Sequence, residues 1–227
     1  MKVNDIDLVA KGFRVKDFNI SPPTTKNPSV SIPLANGGIV SNPLNQVIFD
    51  TRVIDLVLDS KITQAGEAYT KFSRLGEYLY SKPKYQIQFE WDKNFFWLGR
   101  CISVDIKRTY DKYVEYQIQF EVEPYKYDIQ IAGEPWLWNP FSFLNGVIAS
   151  KPHKIITSGE FTIINRLKPV NPTIECTAGC TVIFEDIYYP VQRGSTYMEQ
   201  IILKPGKNLI KVNGDTTITF KYRMGEL

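Results

Sequence analysis

The sequence predicts a mainly β protein with one helix, divided into two domains. Apolar and polar residues alternate strictly along three consecutive stretches between 85 and 122, which is typical of a one-sided antiparallel meander. One segment, 64–80, has the period of an amphipathic helix. After the meander, short apolar stretches separated by turns indicate a β-sandwich. We therefore predict a β-rich domain with one helix over 1–128 and a small β-sandwich over 129–227.

Composition and charge narrow the functional classes. The 227 residues are 43 % hydrophobic and include 13 Tyr and 13 Phe, which suits buried cores and aromatic-rich sheets. The net charge of +3, from 27 basic and 24 acidic residues, gives no indication of a nucleic-acid or membrane partner. No stretch approaches the ~20 apolar residues of a membrane span. The N-terminus, with Asp5 and Asp7, lacks the apolar core of a secretory leader.

The N-terminal region begins with two strand candidates, Ile6–Val9 and Phe13–Ile20. Prolines and the run Asn36-Gly37-Gly38 rule out a helix across the following segment, 21–46. The segment is either a long surface loop or an arm that becomes ordered by packing on another subunit. The second interpretation depends on its buried-type residues, among them Ile32, Leu34, Ile39 and Val40.

A strand, Arg52–Ser60, precedes the helix. Thr63 is suited to cap the start of the helix at 64–80, and Ser81-Lys82-Pro83 ends it. The residues predicted to share its apolar face are Ala65, Ala68, Tyr69, Phe72, Leu75 and Leu79.

The meander carries the hexapeptide Tyr-Gln-Ile-Gln-Phe-Glu twice, at Tyr85–Glu90 and Tyr116–Glu121. The repeat reflects either similar surroundings on both sides of a common middle strand or an internal duplication. The middle strand is predicted from Phe95 to Arg108, with a bulge at Gly99. Its inward residues are predicted as Ile102, Val104 and Ile106, and those of the first strand as Tyr85, Ile87, Phe89 and Trp91. The stretch Glu123–Asp128 is expected to break the pattern.

The predicted strands of the second domain are Lys154–Thr157, Glu160–Asn165, Thr173–Cys176, Cys180–Glu185, Glu199–Leu203, Asn208–Val212 and Thr216–Arg223. Lys204–Lys207 and Asn213–Asp215 read as turns between them.

Residues that could support catalysis or metal binding are few. The only histidine, His153, is expected in an exposed loop, without the partners of a triad or a zinc site. Cys176 and Cys180 are expected to face each other across a tight hairpin, as reduced structural thiols or as an adventitious disulfide. The odd set of three cysteines fits a reducing cytoplasm. We predict no catalytic residue, cofactor or metal site.

Two further features of the sequence each allow two functional interpretations. The acidic pairs Glu121 with Glu123 and Glu185 with Asp186 could serve glycoside hydrolysis, but exposed strand-face charges are far commoner. An aromatic cluster could be a sugar-stacking platform or a packing seam between the two domains. Its residues are Trp136, Trp138 and Phe141.

The order of these elements resembles the distal tail protein (Dit) family of long-tailed phages. The resemblance runs from the paired N-terminal strands through the helix and meander to the exit Glu123–Tyr127. It continues in Lys168–Glu175, similar to a strand entry after Asn-Pro, and in Leu203–Asn208, similar to a hairpin turn of the family. It covers nearly the whole chain, and its specificity lies in the order and spacing of weak motifs.

The resemblance implies a non-enzymatic virion protein of the tail tip or baseplate. Family members form a hexameric ring through the N-terminal domain, around a channel through which DNA passes as cargo. The expected partners are further copies of the chain, the tail tube protein, the tail-tip or tail-associated hub protein and a receptor-binding protein, but no membrane. We expect assembly in the host cytoplasm and a final place in the virion. The resemblance also implies a barrel-like (split-barrel) fold for the N-terminal domain and a galectin-like fold for the C-terminal sandwich, which would serve as an outer attachment platform.

Self-assembly is predicted through the meander, at Tyr116, Ile118 and Phe120, through the helix, and through the arm reaching a neighbouring subunit. Alternative functions are a carbohydrate-binding lectin, a glycan hydrolase, or another tail component such as the N-terminal part of a tail-associated hub.

Overall fold

The computed structural model describes residues 1–26, 29–31, 38–40, 47–135 and 151–227. The chain forms two compact units. Unit 1 comprises Met1–Asp92 and Trp97–Pro124, and unit 2 comprises Lys93–Phe96 and Tyr125–Leu227. Within the described ranges, no helix combines the length and apolar character needed to cross a bilayer.

The elements, in chain order, are β1 (Lys2–Val3), β2 (Ile6–Asp7), β3 (Arg14–Ile20), β4 (Ser29–Ser31), β5 (Gly38–Val40), β6 (Arg52–Lys61), α1 (Ala65–Tyr80), β7 (Tyr85–Gln88), β8 (Phe95–Thr109), β9 (Tyr113–Asp128), β10 (His153–Ile155), β11 (Ser158–Asn165), β12 (Thr173–Cys176), β13 (Cys180–Phe184), β14 (Ile187–Val191), β15 (Gly194–Tyr197), β16 (Gly206–Asn213), β17 (Thr216–Lys221) and β18 (Gly225–Glu226).

Unit 1 is built on one sheet in the order β2-β1-β7-β8-β9-β6-β3. The sheet is curled. Three strands separate the edge strand β3 from β7, yet the ring of Phe18 in β3 lies only 6.2 Å from the ring of Phe89, which follows β7 directly. Alternation places Ile54, Leu56 and Leu58 of β6 in a core shared with β9. The predicted barrel-like sheet is confirmed.

Helix α1 covers this core with Ala68, Leu75 and Leu79, all buried. Tyr69 is 70 % exposed, so its predicted place on the buried face is wrong. Residue 69 follows Ala68 by one position, about 100° around the helix, so the contacting stripe is narrower than the predicted one.

The helix start also differs from the predicted cap at Thr63. Gln64 is the N-cap residue, and its side chain makes no capping hydrogen bond. Thr63 instead donates its backbone N–H and its hydroxyl to the carboxylate of Glu67, at 2.7 Å each. These bonds lower the pKa of Glu67 and place its negative charge in the first turn, where the helix dipole favours it.

The repeated hexapeptides occupy β7 and β9, the two neighbours of β8. Their inward residues are completely or almost completely buried: Tyr85, Ile87 and Phe89, and Tyr116, Ile118 and Phe120. The predicted arrangement around a common middle strand is therefore confirmed, and it accounts for the similarity of the two sequences without a duplication.

The middle strand β8 differs from its prediction in phase. The buried residues Trp97 and Cys101 have odd numbers, whereas the buried residue Val104 has an even number. The residues that face the core therefore change from odd to even numbers along the strand. Ile102, predicted to face inward, is consequently exposed. The β7–β8 register is continuous up to Gly99, so the change of face comes later than the predicted bulge.

The predicted break in the alternation at Glu123–Asp128 is confirmed, although strand β9 itself continues to Asp128. Alternation fades there because residues 123–126 are all half-buried. The backbone pairing continues nevertheless, since Lys126 and Tyr127 pair with Glu226 and Gly225 of β18.

Unit 2 contains two four-stranded sheets, ordered β10-β17-β12-β15 and β11-β16-β13-β14. Buried residues of both sheets, such as Ile174 and Phe220 of the first and Val182 and Ile210 of the second, belong to one hydrophobic cluster. The predicted sandwich is confirmed.

Two details of the sandwich correct the sequence prediction. The stretch Glu199–Leu203 is not a strand, and Leu203 makes only an isolated bridge with Val170. Strands β14 and β15 were not predicted. The turn after Leu203 is closed by the Asn208 side chain, which accepts a hydrogen bond from Lys204 N and donates one to Lys204 O, each at 2.8 Å.

Candidate functional site

The three meander residues predicted to mediate self-assembly lie in the interior of unit 1. Tyr116, Ile118 and Phe120 are 0 % exposed, and the Tyr116 hydroxyl donates to the carbonyl of Ala68 at 2.9 Å. Burial raises the pKa of Tyr116 to about 12. Their side chains support the sheet from within, so contact with a neighbouring subunit is available only through other faces and edges of the sheet.

The opposite face of β9 is polar and connected to its neighbours by cross-strand pairs. Gln119 donates to Asp55 of β6 at 2.7 Å, and Arg100 of β8 pairs with Glu121 at 2.7 Å. Glu115 pairs with Lys16 of β3, and the hydrogen bond from this ammonium lowers the pKa of the Glu115 carboxyl. Glu115 and Glu121 are therefore each paired with a cation, whereas Asp55 accepts its hydrogen bond from a neutral amide.

The edge strand β3 is the longest open edge of this sheet. It pairs with β6 on one side, and no strand within the described ranges pairs with its other side. Five of its seven residues are exposed. A shift in register between Val15 and Asp17 interrupts the pairing, a device that natural edges use. The Phe18 N–H donates to Oδ1 of Asp17 at 2.9 Å, and the other outward backbone groups of this edge can pair with another chain.

An exposed aromatic stack lies beside this edge. The rings of Phe18 and Trp91 are stacked with centroids 4.5 Å apart, and Trp91 stacks in turn on Phe89 at the same distance. Phe18 is 45 % exposed and Trp91 53 % exposed. The prediction that Trp91 faces inward with Phe89 is wrong, because β7 ends at Gln88 and the chain turns before residue 91. Aromatic surface of this kind is typical of protein contacts.

The remaining predicted contact residues are only partly described. Ile39 and Val40 belong to strand β5, which pairs with β4 in a two-stranded sheet. Ile32 and Leu34, and the aromatic residues Trp136, Trp138 and Phe141, lie outside the described residues. The roles of the arm and of the predicted seam stay predictions.

His153 is not the exposed loop residue that the sequence suggested. It opens β10, and its imidazole stacks on Phe161 with ring centroids 3.7 Å apart and planes 7° apart. Burial lowers its pKa, which favours the neutral ring. The alternating strand places the ring against the sandwich core, where it acts as an aromatic packing group.

The cysteines also differ from the predicted geometry. Cys176 ends β12 and Cys180 begins β13, and these strands belong to different sheets of the sandwich, so no hairpin joins the two residues, although their thiols interact with each other. Both are buried free thiols, as is Cys101. Cys176 donates to the carbonyl of Gln192 at 2.9 Å, and burial raises the pKa of Cys180 to about 11. Such thiols are poor nucleophiles.

The acidic pairs considered for glycoside hydrolysis take part in ion pairs at the surface. Glu121 pairs with Arg100, Glu123 with Lys84 and Glu185 with Lys204. Across the described part of the chain, no group of three or more His, Cys, Asp or Glu residues is arranged to hold a metal ion.

A half-buried charge cluster in unit 2 was missed by the sequence analysis. Arg166 bonds Asp128 at 3.1 Å and Glu226 at 2.9 Å, and Lys126 approaches Glu226 at 3.2 Å. Arg223 donates to the backbone carbonyl of Asp128. Burial raises the pKa of Asp128 to about 6 despite these cations, with the Glu226 carboxylate contributing in the same direction. The five charged residues come from β9, the segment after β11, the segment between β17 and β18, and β18 itself, and no sequence spacing reveals that they meet.

Comparison with known proteins gives a match at the level of the fold. No protein-family model and no curated protein matches the chain. The crystal structure of the SPP1 Dit protein, described as a paradigm of the hub adsorption apparatus of phages that infect Gram-positive bacteria, superimposes with a TM-score of 0.62 and 14 % identity. The match covers 98 % of this chain and 97 % of that chain.

Chains of the phage p2 baseplate in its activated conformation, with Sr or Ca, also match. Their TM-scores are 0.41 and 0.46 at 11 % and 12 % identity, over 96 % of this chain and 92 % of those chains. With a TM-score above 0.6 over almost the whole length of both molecules, this chain has the fold of the SPP1 Dit protein.

Proposed function

We propose that this chain is a structural, non-enzymatic hub protein of the tip of a phage tail, and that six copies form a ring around a channel for DNA. The observation that carries the proposal is the match with the SPP1 Dit protein over 98 % of this chain. Because the match includes the curled sheet and the sandwich, it is more specific than a likeness between two common sandwiches.

The geometry of unit 1 supports assembly into a ring. An open edge such as β3 is a template for pairing, and a closed ring removes every such edge. The stack of Phe18 and Trp91 beside it offers apolar surface to the same neighbour. The meander strands β7, β8 and β9 would then contribute to assembly indirectly, because they belong to the sheet whose edge is β3.

The charge distribution supports passage of DNA without retention. Strong binding to phosphates needs clustered lysines and arginines. On the polar face of the sheet, Arg100 and Lys16 are each paired with a carboxylate, and the net charge of the chain is only +3. A conduit with this surface would hold DNA weakly.

The proposed partners are the tail tube protein on one side of the ring and the tail-tip or tail-associated hub protein on the other, with a receptor-binding protein as a further partner. The sandwich of unit 2, which we take to be galectin-like, would serve as the attachment platform. The chain would assemble in the host cytoplasm and remain in the virion. Segment 21–46 would reach a neighbouring subunit as an arm.

Native mass spectrometry of the purified chain tests the ring. Six copies of the 26.1 kDa chain give a species of about 157 kDa. A trimer would instead indicate the N-terminal part of a tail-associated hub and would contradict the proposal.

The arm is tested by deleting residues 24–44 and measuring the oligomer by light scattering. We expect loss of the hexamer, because the arm's apolar residues would no longer pack on the neighbour. A matched control replaces the same residues with a Gly/Ser linker of equal length, which keeps the connection but removes those side chains. An unchanged hexamer in both variants would refute the role of the arm.

A further inference from the structure

We propose that Arg52 is the positioning residue of the arm, segment 21–46, and that its side chain fixes the direction in which the arm leaves the sheet of unit 1. The inference deepens the proposed function and rests on it, because a neighbouring copy of the chain would meet an arm that is already oriented.

Arg52 occupies an unusual place for an arginine. Strand β6 turns every second residue toward the core of unit 1, and these positions are held by Arg52, Ile54, Leu56, Leu58 and Ser60. Arg52 is only 9 % exposed. Arginine is almost never fully buried unless its charge is paired. A specific reason for this residue is therefore expected.

The guanidinium of Arg52 connects three parts of unit 1. Its Nε donates to the carbonyl of Ser21 at 2.7 Å, and its Nη1 donates to the carbonyl of Pro124 in β9 at 3.3 Å. The guanidinium also lies over the ring of Trp97 in β8, 4.9 Å from the ring centroid. Because Ser21 directly follows β3, a single side chain joins the first residue of the arm to two other strands of the sheet.

No negative charge balances this guanidinium. All 24 acidic side chains of the chain belong to the described residues, and none of them forms an ion pair with Arg52. Burial lowers the pKa of Arg52, and no carboxylate acts against this shift. A buried charge of this kind costs stability, and an apolar side chain of similar size would serve the core at least as well. The arginine is explained instead by the two carbonyls, which only a hydrogen-bond donor can hold.

Ser21 and Val53 close the base of the arm. The N–H and the hydroxyl of Ser21 both donate to the carbonyl of Val53, each at 3.0 Å. The N–H of Val53 donates back to the Ser21 hydroxyl at 2.9 Å. Because the hydroxyl accepts this bond, the carbonyl of Ser21 is left for Arg52.

The described part of the arm beyond this base continues as an antiparallel ribbon. The N–H of Asp50 donates to the carbonyl of Thr24 at 2.9 Å, and the N–H of Lys26 donates to the carbonyl of Ile48 at 2.7 Å. Further along the arm, β4 pairs with β5. The direction of the base therefore sets the direction of the two strands that it carries.

Two prolines interrupt the ribbon just above its base. Pro22 and Pro23 lie between Ser21 and Thr24, and neither has a backbone N–H to donate. The outgoing strand thus makes no N–H bond at these two positions, and the ribbon is weakest there. The carbonyl that Arg52 holds is the one directly before Pro22, so the side chain acts where the backbone ladder cannot.

An arm oriented in advance favours assembly with a neighbouring copy. Ordering a segment on binding costs free energy, and a segment that already has its bound direction avoids part of this cost. Loss of the Arg52 hydrogen bonds should therefore leave unit 1 folded, loosen the base of the arm and weaken the ring.

Arg52→Met tests the role of the side chain. Methionine keeps an unbranched side chain of comparable reach but has no donor. We expect hydrogen exchange of the Lys26 and Asp50 amides, measured by mass spectrometry on the purified chain, to become at least about tenfold faster. Exchange in β8 and β9 should stay as in the wild type, and the urea midpoint should stay within ~0.3 M.

Arg193→Met is the matched control. It makes the same chemical change at an exposed arginine of unit 2. Exchange at Lys26 and Asp50 should then equal that of the wild type.

Native mass spectrometry gives a second readout, on assembly. The Arg52→Met hexamer should dissociate at a concentration about tenfold higher than the wild-type hexamer. A variant hexamer as stable as the wild type would overturn the link between Arg52 and assembly. A wild-type chain that forms no hexamer would reject the proposed function, whereas the exchange measurement would still decide whether Arg52 orients the arm.

Two exchange results would overturn the proposal while leaving the proposed function intact. The first is unchanged exchange at Lys26 and Asp50 in Arg52→Met. The second is faster exchange throughout unit 1 with a lower urea midpoint, which would show that Arg52 only supports the core. Should Arg52→Met fail to fold, Arg52→Lys decides, because it keeps the charge but loses the second bond and the planar stacking. Faster exchange confined to the same two amides would support the proposal, and exchange equal to the wild type would overturn it.

Discussion

Replacing Gly99 with alanine gives the sharpest test of the curled sheet in unit 1. Gly99 lies in β8 where β9 passes closest. An added Cβ would lie 2.3 Å from the carbonyl oxygen of Glu121, 2.6 Å from Cγ1 of Val122 and 2.7 Å from Cα of Val122. Two of these three atoms belong to the β9 backbone, so neither can move aside without shifting a central strand.

We expect a loss of about 3 kcal/mol in the free energy of unfolding of unit 1, the upper end of the range for overpacked cores. That is a large part of the ~5–15 kcal/mol by which domains are stable. Urea unfolding monitored by circular dichroism measures the loss, and hydrogen exchange of β8 and β9 peptides locates it.

Gly76→Ala is the matched control, because it adds the same methyl group at a different place. Its Cβ would lie 3.8 Å from Cδ2 of Tyr80, an ordinary contact, in the interior of α1. Replacing a helical glycine should stabilise unit 1 by about 0.5–1 kcal/mol. If Gly99→Ala were as stable as the wild type, the close approach of β8 and β9 would be refuted.

Three further predictions concern buried groups. Tyr116→Phe should destabilise unit 1 by about 1–2 kcal/mol in urea unfolding, because the buried carbonyl of Ala68 loses its donor; equal stability would contradict that bond. Cys101 and Cys180, whose pKa values burial raises to about 11, should resist alkylation by iodoacetamide at pH 8 in the folded chain and react in urea; rapid labelling of the native protein would show that they are accessible. Because burial raises the pKa of Asp128 from 3.8 to about 6, the folded state holds a proton that the unfolded state has released between these values. The wild type should therefore gain stability relative to Asp128→Asn as pH falls from 7 to 4, by up to about 3 kcal/mol, and a constant difference would contradict the burial of this carboxyl.

Local alternation was sufficient to predict the central part of unit 1. Residues at every second position of β6 and β9 face one core, so the apolar positions in the sequence coincide with the buried positions in the structure. Helix α1 followed in the same way from its period, with an error at Tyr69 because periodicity does not fix the width of the contact.

Features that depend on contacts distant in sequence were not predictable. Strand β14 was missed because Ile187 and Tyr188 are both exposed and Pro190 interrupts the pattern. Cys176 and Cys180 looked like hairpin partners, but the chain crosses between sheets within the three residues separating them. The cluster around Arg166 and Asp128 joins positions 38 residues apart.

The candidate site shows the same limit. The sequence indicated that the meander takes part in assembly. Tyr116 was predicted as a contact residue because it belongs to the apolar set of its strand, but that same set forms the buried core of unit 1. The available surfaces are the open edge of β3 and the stack of Phe18 on Trp91. They become apparent only because the curled sheet brings together two residues that are 73 positions apart in the chain.

Cryo-electron microscopy of tails isolated from phage particles that contain this chain tests the central claim most directly. The account predicts a sixfold ring at the distal end of the tail tube, with unit 1 around the channel and β3 of each copy paired with its neighbour. A ring of threefold symmetry built from this chain, or its absence from the tail tip, would contradict the account.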